Sequence, residues 1–338
     1  MQPIEGFLIE SVEGVIFDVK GLVHPPDKVV AFPRFIPDQK GSRIRSDTKY
    51  SKVYGISERF NFLEGNFPEY VVYDRVFDEK LCEVPLDRIR KVYNPTSFLE
   101  RLRKSRSLDE LKKAALQCVE LLKEKANVPW NKLGVSGSVL AGLHTAASDI
   151  DPVVYGVENC WKVHGALRRL LGMEDMPFKP YGLEDLRRLF DFRSKDTLMR
   201  FEDFVAVESR KIFQGKFMGR DFFIRFVKDF SEIGERYGEV QYKNCGYAKI
   251  EATVVDDLEA IFTPCKYKIE DVKIVEGPRL QPIREIASFR GRFCEQAKSG
   301  ETVLAQGKIE KVVDRRNGSE YFRLLIGNKP SDYMILKS

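Results

Sequence analysis

An α+β fold is predicted, with a central mixed domain between two β-rich segments. Three observations carry this. Short β-branched and aromatic runs fill the first hundred residues, an apolar period of 3.6 sets in at 107, and alternating runs return after 240. The boundaries these changes suggest are 1–100, 101–235 and 236–338.

In the first segment, "FLIES", "GVIFDVKG", "KVVAFPRFI" and "YVVYDRVF" read as strands punctuated by Gly, Pro and Asp. Between them, "DQKGSRIRSDTKYSK" at 38–52 is a polar loop carrying Lys40, Arg43, Arg45, Lys49 and Lys52. It reads either as a solvated loop or as one that contacts phosphate. Tyr50, Tyr54, Phe60 and Phe62 beside it serve equally as core residues or as base-stacking platforms.

The central segment opens with "SLDELKKAALQCVELLKEKA", which places Leu108, Leu111, Ala115, Cys118, Val119 and Leu122 on one helical face. Ser107 with Glu110 is a capping-box pattern. "NVPWN" ends this helix, and "KLGVSG" predicts a short strand. "NCWKVHGALRRLLG" predicts a helix over 159–172, helical patterns continue to about 213, and "GKFMGRDFFIRFVKD" predicts a hairpin turning near Gly219. In the last segment five or six strands, with an Asn317-Gly318 turn, suggest a small barrel, OB-like, or a sandwich.

Composition narrows the class of function. Hydrophobic residues make up 43% and charged residues 32%, and no apolar run is long enough to span a bilayer as a helix. The first residues lack the pattern of a signal peptide, so a cytoplasmic protein without membrane association is expected. Six cysteines with no C-x-x-C pattern, and three histidines, disfavour disulfide scaffolds and zinc sites. Net charge is +5, compatible with a polyanionic partner without arguing for one.

The chemistry concentrates in "GVSGSVLAGLHTAASDIDPVVYG", Gly134 to Gly156. In a strand, Asp149 and Asp151 point to one side while Ile150 points to the other. Two carboxylates that close, inside an apolar segment, require a cation. A hard divalent ion, Mg²⁺ above all, suits them. Gly137 and Ser138 precede Asp149 by about ten residues, and "SVLAGLHTAA" between them can form one helix whose start faces an anion. There is no G-x-x-x-x-G-K-[ST] and no G-x-G-x-x-G, so P-loop and dinucleotide binding are disfavoured. His144 reads as a structural residue.

These residues resemble the nucleotidyltransferases of the DNA polymerase β superfamily, whose signature is a hydrophobic residue, Gly-Ser, roughly ten residues, then Asp-hydrophobic-Asp. Gly137-Ser138, "DID" at 149–151, and Gly142 in a "GSxxxG" spacing match it in order. The match covers about 25 residues, and the chain is also similar to a group of predicted archaeal nucleotidyltransferases with β-rich flanks. Two positions depart from the pattern, Pro152 after the second aspartate and Ala141 before the glycine.

The resemblance implies a polymerase-β-like central domain that transfers a nucleoside monophosphate from a nucleoside triphosphate to an acceptor, a nucleic acid being one option. It implies Mg²⁺ held by Asp149 and Asp151, phosphates held by Gly137, Ser138 and Gly142, and a third carboxylate from a later strand. Asp221 is the first choice for that carboxylate, with Asp229 and Glu251 as fallbacks. The alternative is a catalytically silent module that binds nucleic acid or protein.

Overall fold

The computed structural model describes residues 2–337 and is mixed α+β, with four sheets and seven α-helices among the described residues. No helix in it is long and apolar enough to cross a membrane. The chain forms two compact units. One comprises 1–72, 81–180 and 212–234; the other comprises 73–80, 181–211 and 235–338. The N-terminal strands and the Asp149–Asp151 segment therefore share the first unit.

In that unit, antiparallel strands run in the order Arg43–Arg45, Thr48–Lys52, Lys28–Pro37, Ile16–Val19, Leu8–Ser11, Ile89–Tyr93. Leu8–Ser11 and Ile16–Val19 are buried at every position, because both faces of the sheet are covered. On one face Ile9, Phe17, Val29 and Ala31 pack with Val153, Tyr155 and Val227. On the other, Leu8, Ile16 and Phe35 pack with Leu140, Ala141 and Leu143. The N-terminal sheet thus lies against the short segment after Gly137-Ser138 and against the strand after Asp151.

A three-stranded sheet carries that stretch. Pro152–Tyr155 is central, antiparallel to Leu133–Val135 and parallel to Arg225–Val227. Pro152 is the first residue of its strand, where a missing N–H is tolerated. Helices Glu110–Ala126 and Val157–Leu171 pack on each other beside this sheet. The first of them starts at Asp109, whose side chain accepts the Lys112 N–H, so the cap lies two residues past the predicted Ser107. It ends at Asn127, which adopts the left-handed conformation. The predicted hairpin at Gly219 forms, Gln214–Phe217 pairing with Arg220–Phe223.

The polar loop expected at 38–52 is instead a β-hairpin, Arg43–Arg45 against Thr48–Lys52. Its two arginines are drawn inward because backbone carbonyls and carboxylates await them. Arg43 bonds the Leu143 carbonyl, while Arg45 bonds the Ala141 carbonyl (3.2 Å), Glu10 (2.9 Å) and the hydroxyls of Tyr93 (2.6 Å) and Tyr50 (3.1 Å).

In the second unit, strands Val240–Asp256, Cys265–Glu276, Ile283–Ser288, Ser319–Leu325 and Thr302–Asp314 follow one another, and the last pairs back with the first. This closes a small barrel, to which Tyr333–Leu336 adds. The Asn317-Gly318 turn joins Asp314 to Ser319 as the sequence predicts. Buried charges here are paired: Arg323 with Glu310 at 2.7 Å, and Glu208 with both Arg193 and Lys211 at 2.7 Å. All six cysteines are free.

A candidate site around Asp149 and Asp151

The motif folds as strand, short helix, loop and strand. Leu133–Val135 leads through Ser136 into a helix of five residues, Gly137–Ala141. The helix stops at Gly142, which takes φ +69°, so the segment to Ser148 is a loop rather than the continued helix the sequence suggested. Arg43 and Arg45 hold this loop down through the carbonyls named above, and Arg43 also reaches the Ser148 hydroxyl at 3.5 Å. His144 bonds Asp109 at 3.1 Å, in keeping with a structural role.

Asp149 and Asp151 flank Ile150, which bridges in parallel to Phe222. The Ile150 N–H donates to the Asp221 carbonyl and the Phe223 N–H donates to the Ile150 carbonyl, each at 2.9 Å. Alternation then sends both aspartates to the side opposite Ile150. The Ser136 N–H donates to the Asp151 carbonyl at 2.8 Å, which ties the second aspartate to the turn ahead of the helix. Gly137 has φ +62°, and a Cβ there would overlap Asp151 Oδ2 and lie 2.6 Å from its Cγ. The glycine of the motif is thus explained by the carboxylate that rests on it.

The electrostatics are lopsided. Arg225, entering from the neighbouring strand, bonds Glu5 at 2.9 Å and Asp18 at 3.3 Å, and Lys20 bonds Asp18 at 2.8 Å and Glu5 at 3.3 Å. Burial opposes ionisation of Asp18, yet Lys20, Arg225 and Arg34 outweigh it and hold that carboxyl well below its usual range. Asp151 goes the other way. Burial and then the charge of Asp149 push it up to about 7, against the smaller pull of Lys52, Arg225 and Arg34. Neither Asp149 nor Asp151 takes part in a salt bridge among the described residues. Ser138 is 2% exposed and its Oγ has no hydrogen-bond partner.

The remaining predicted residues fall as follows. Asp221 sits on the strand beside Ile150, but its carboxylate is 54% exposed and bonds Lys216 at 2.8 Å. Asp229 bonds Lys132 and caps the turn at Phe230. Glu251 belongs to the second unit and bonds Lys337 at 2.6 Å. Among the described residues no group of three or more His, Cys, Asp or Glu side chains is arranged to hold a metal ion. Sequence reasoning missed Glu5, Asp18, Lys20 and Arg34. Asp18 left a trace, a carboxylate inside the apolar run "GVIFDV"; the others are ordinary charged residues until the sheet forms.

Over 327 residues, 94% of each chain, the protein is 32% identical to the "Uncharacterized protein MJ1086" of Methanocaldococcus jannaschii. The two belong to one family. No family model and no solved structure matches the chain. The likeness spans both compact units.

Proposed function

We propose that this protein is a nucleotidyltransferase, moving a nucleoside monophosphate from a nucleoside triphosphate to an acceptor hydroxyl with the help of Mg²⁺. One observation carries the reading. Two neighbouring carboxylates, one of them seated on Gly137 and pushed up to about 7, have no cation bonded to them among the described residues. Such a pair lacks a counter-charge that a hard divalent ion would supply.

The donor set fits that ion: two carboxylates on alternate positions, with the unpartnered hydroxyl of Ser138 in the same turn. When bound, Mg²⁺ neutralises phosphate charge and favours the deprotonated acceptor. Asp149 and Asp151 hold it. Gly137 lets the backbone approach closely and Ser138 donates to a phosphate oxygen, while Gly142 ends the helix so that the chain returns to Asp149. Asp221, on the strand beside Ile150, is the residue assigned to the acceptor side, which requires its carboxylate to leave Lys216. A nucleic acid is one acceptor that the weakly basic chain would tolerate.

The test is calorimetric titration of a non-hydrolysable triphosphate with Mg²⁺. Asp149→Asn with Asp151→Asn should abolish the Mg²⁺-dependent part of binding while leaving the far-ultraviolet spectrum unchanged. Undiminished Mg²⁺-dependent binding in the double variant would refute the metal role.

The Lys216–Asp221 pair favours a second reading, a catalytically silent domain of the same fold that binds nucleic acid or a protein. It predicts no product from labelled triphosphate and salt-sensitive polyanion binding that survives both aspartate substitutions.

A further inference from the structure

The basic residues at 38–52 are not equivalent once folded. Arg43 and Arg45 are committed to the loop after the short helix. Lys40 and Lys49 are exposed at the hairpin. Lys52 is different. It is half-buried, makes no salt bridge among the described residues, and its ammonium lies 4.9 Å from the centre of the Tyr54 ring.

Arg34 is its counterpart on the neighbouring strand. The Val53 N–H donates to the Arg34 carbonyl at 3.0 Å, and one guanidinium nitrogen donates to the Val53 carbonyl at 3.4 Å. The Arg34 guanidinium also lies 4.9 Å from the Tyr54 ring centre, and Arg34 too makes no salt bridge among the described residues. One ring therefore organises two cations. The hairpin that carries Lys52 is docked beside the aspartates, because its Arg43 bonds the Leu143 carbonyl and reaches the hydroxyl of Ser148, the residue before Asp149.

The pairing elsewhere in this cluster sharpens the contrast. Lys20 and Arg225 have Asp18 and Glu5 to neutralise them. Arg34 and Lys52 have no salt-bridge partner among the described residues, and neither have Asp149 and Asp151. A ligand that completes the set must bring positive charge to the aspartates and negative charge to Arg34 and Lys52. A divalent cation complexed to a polyphosphate does both.

We infer that Arg34 and Lys52, ordered around Tyr54, form a clamp for the polyphosphate tail of a nucleotide whose metal sits at Asp149 and Asp151. The inference rests on the nucleotidyltransferase reading for the metal and assigns the tail to the N-terminal sheet. These two residues position the substrate; they touch no reacting atom.

Calorimetry with sodium tripolyphosphate, in chelator and in Mg²⁺, tests it. Lys52→Gln should weaken tripolyphosphate binding about tenfold in both conditions, the loss of one charged hydrogen bond. Arg34→Gln should do the same, and Arg34→Lys, which keeps the charge, should stay close to wild type. Lys49→Gln, on the exposed end of the same strand, should change nothing. A non-hydrolysable nucleoside triphosphate should displace the tripolyphosphate.

Asp149→Asn with Asp151→Asn should remove the gain from Mg²⁺ yet retain binding in chelator, so the clamp and the metal reading fail separately. Unchanged affinity in Lys52→Gln and Arg34→Gln would overturn the clamp. So would no binding by the wild type with or without Mg²⁺, or failure of the nucleotide to compete. The Lys52 side chain bonds no backbone group among the described residues, so its variant keeps the test alive if Arg34→Gln folds poorly.

Discussion

The Asp151 carboxylate rests on the α-carbon of Gly137, so closely that any side chain at 137 would occupy the space of its Oδ2. Gly-Ser and Asp-x-Asp, fourteen positions apart at their ends, are in this sense one contact. The turn that starts the helix exists in its present form because a carboxylate lies above it.

Gly137→Ala therefore carries two penalties, a side chain at φ +62° and an overlap with Asp151. Together they should cost roughly 2–4 kcal/mol. The check is a chemical denaturation curve, with the companion expectation that Mg²⁺-dependent triphosphate binding disappears even where the variant remains folded. A variant as stable as wild type would mean that the carboxylate moves aside freely.

Asp151→Asn should make the metal-free protein more stable at pH 8. The folded-state carboxyl is raised from 3.8 to about 7 by burial and by Asp149. Folding then favours the protonated form, so the contribution is favourable below pH 4 and is lost as pH rises through 7. Asparagine removes that loss. The melting temperature in chelator should rise by about 3 °C at pH 8 and match wild type near pH 4. Equal melting temperatures at both pH values would show that Asp151 ionises in the fold without penalty.

Arg45→Ala should destabilise the first unit by about 3 kcal/mol, the cost of removing one partner from a buried ionic cluster. Arg45 bonds Glu10, two tyrosines and the Ala141 carbonyl. Burial raises the Glu10 carboxyl, but Tyr93, Arg90 and Arg45 outweigh it and leave it below its usual 4.5. Stability from Glu10 is therefore present above pH 4.5 and fades as pH falls through the depressed value. The variant should lose less than wild type between pH 6 and pH 3 in urea unfolding.

Glu208→Gln addresses the second unit. Glu208 is 5% exposed and answers both Arg193 and Lys211, whose side chains are nearly buried. The neutral amide removes the negative charge that both cations share, at a cost of about 3–5 kcal/mol. Thermal unfolding should show it, with Lys211→Met together with Glu208→Gln recovering part of the loss. No recovery would mean that Arg193 alone sets the cost.

Where the sequence was legible, the signal was local. The helix Glu110–Ala126 announces itself through Leu111, Ala115, Cys118 and Leu122, and the turn at Asn317-Gly318 through its own backbone preferences. The metal-pair candidates were legible because Asp149 and Asp151 are two apart in a strand-like run. The polar loop at 38–52 misled because its arginines look solvated by composition, whereas Leu143, Ala141 and Glu10 capture them from elsewhere in the chain. Asp221 looked like a third carboxylate by strand position, and it is bonded to Lys216.

By itself, the sequence determined the mixed α+β class, the strand–turn–helix unit and the placing of two aspartates on one side of the strand that follows it. Those depend on backbone preference and side-chain period, which act over a few residues. Only the tertiary structure decided which charges meet that pair. Arg34 and Lys52 come from two paired strands of the N-terminal sheet and Arg225 from a strand far later in the chain, and only sheet pairing and burial gather them and leave Asp151 without a salt bridge among the described residues.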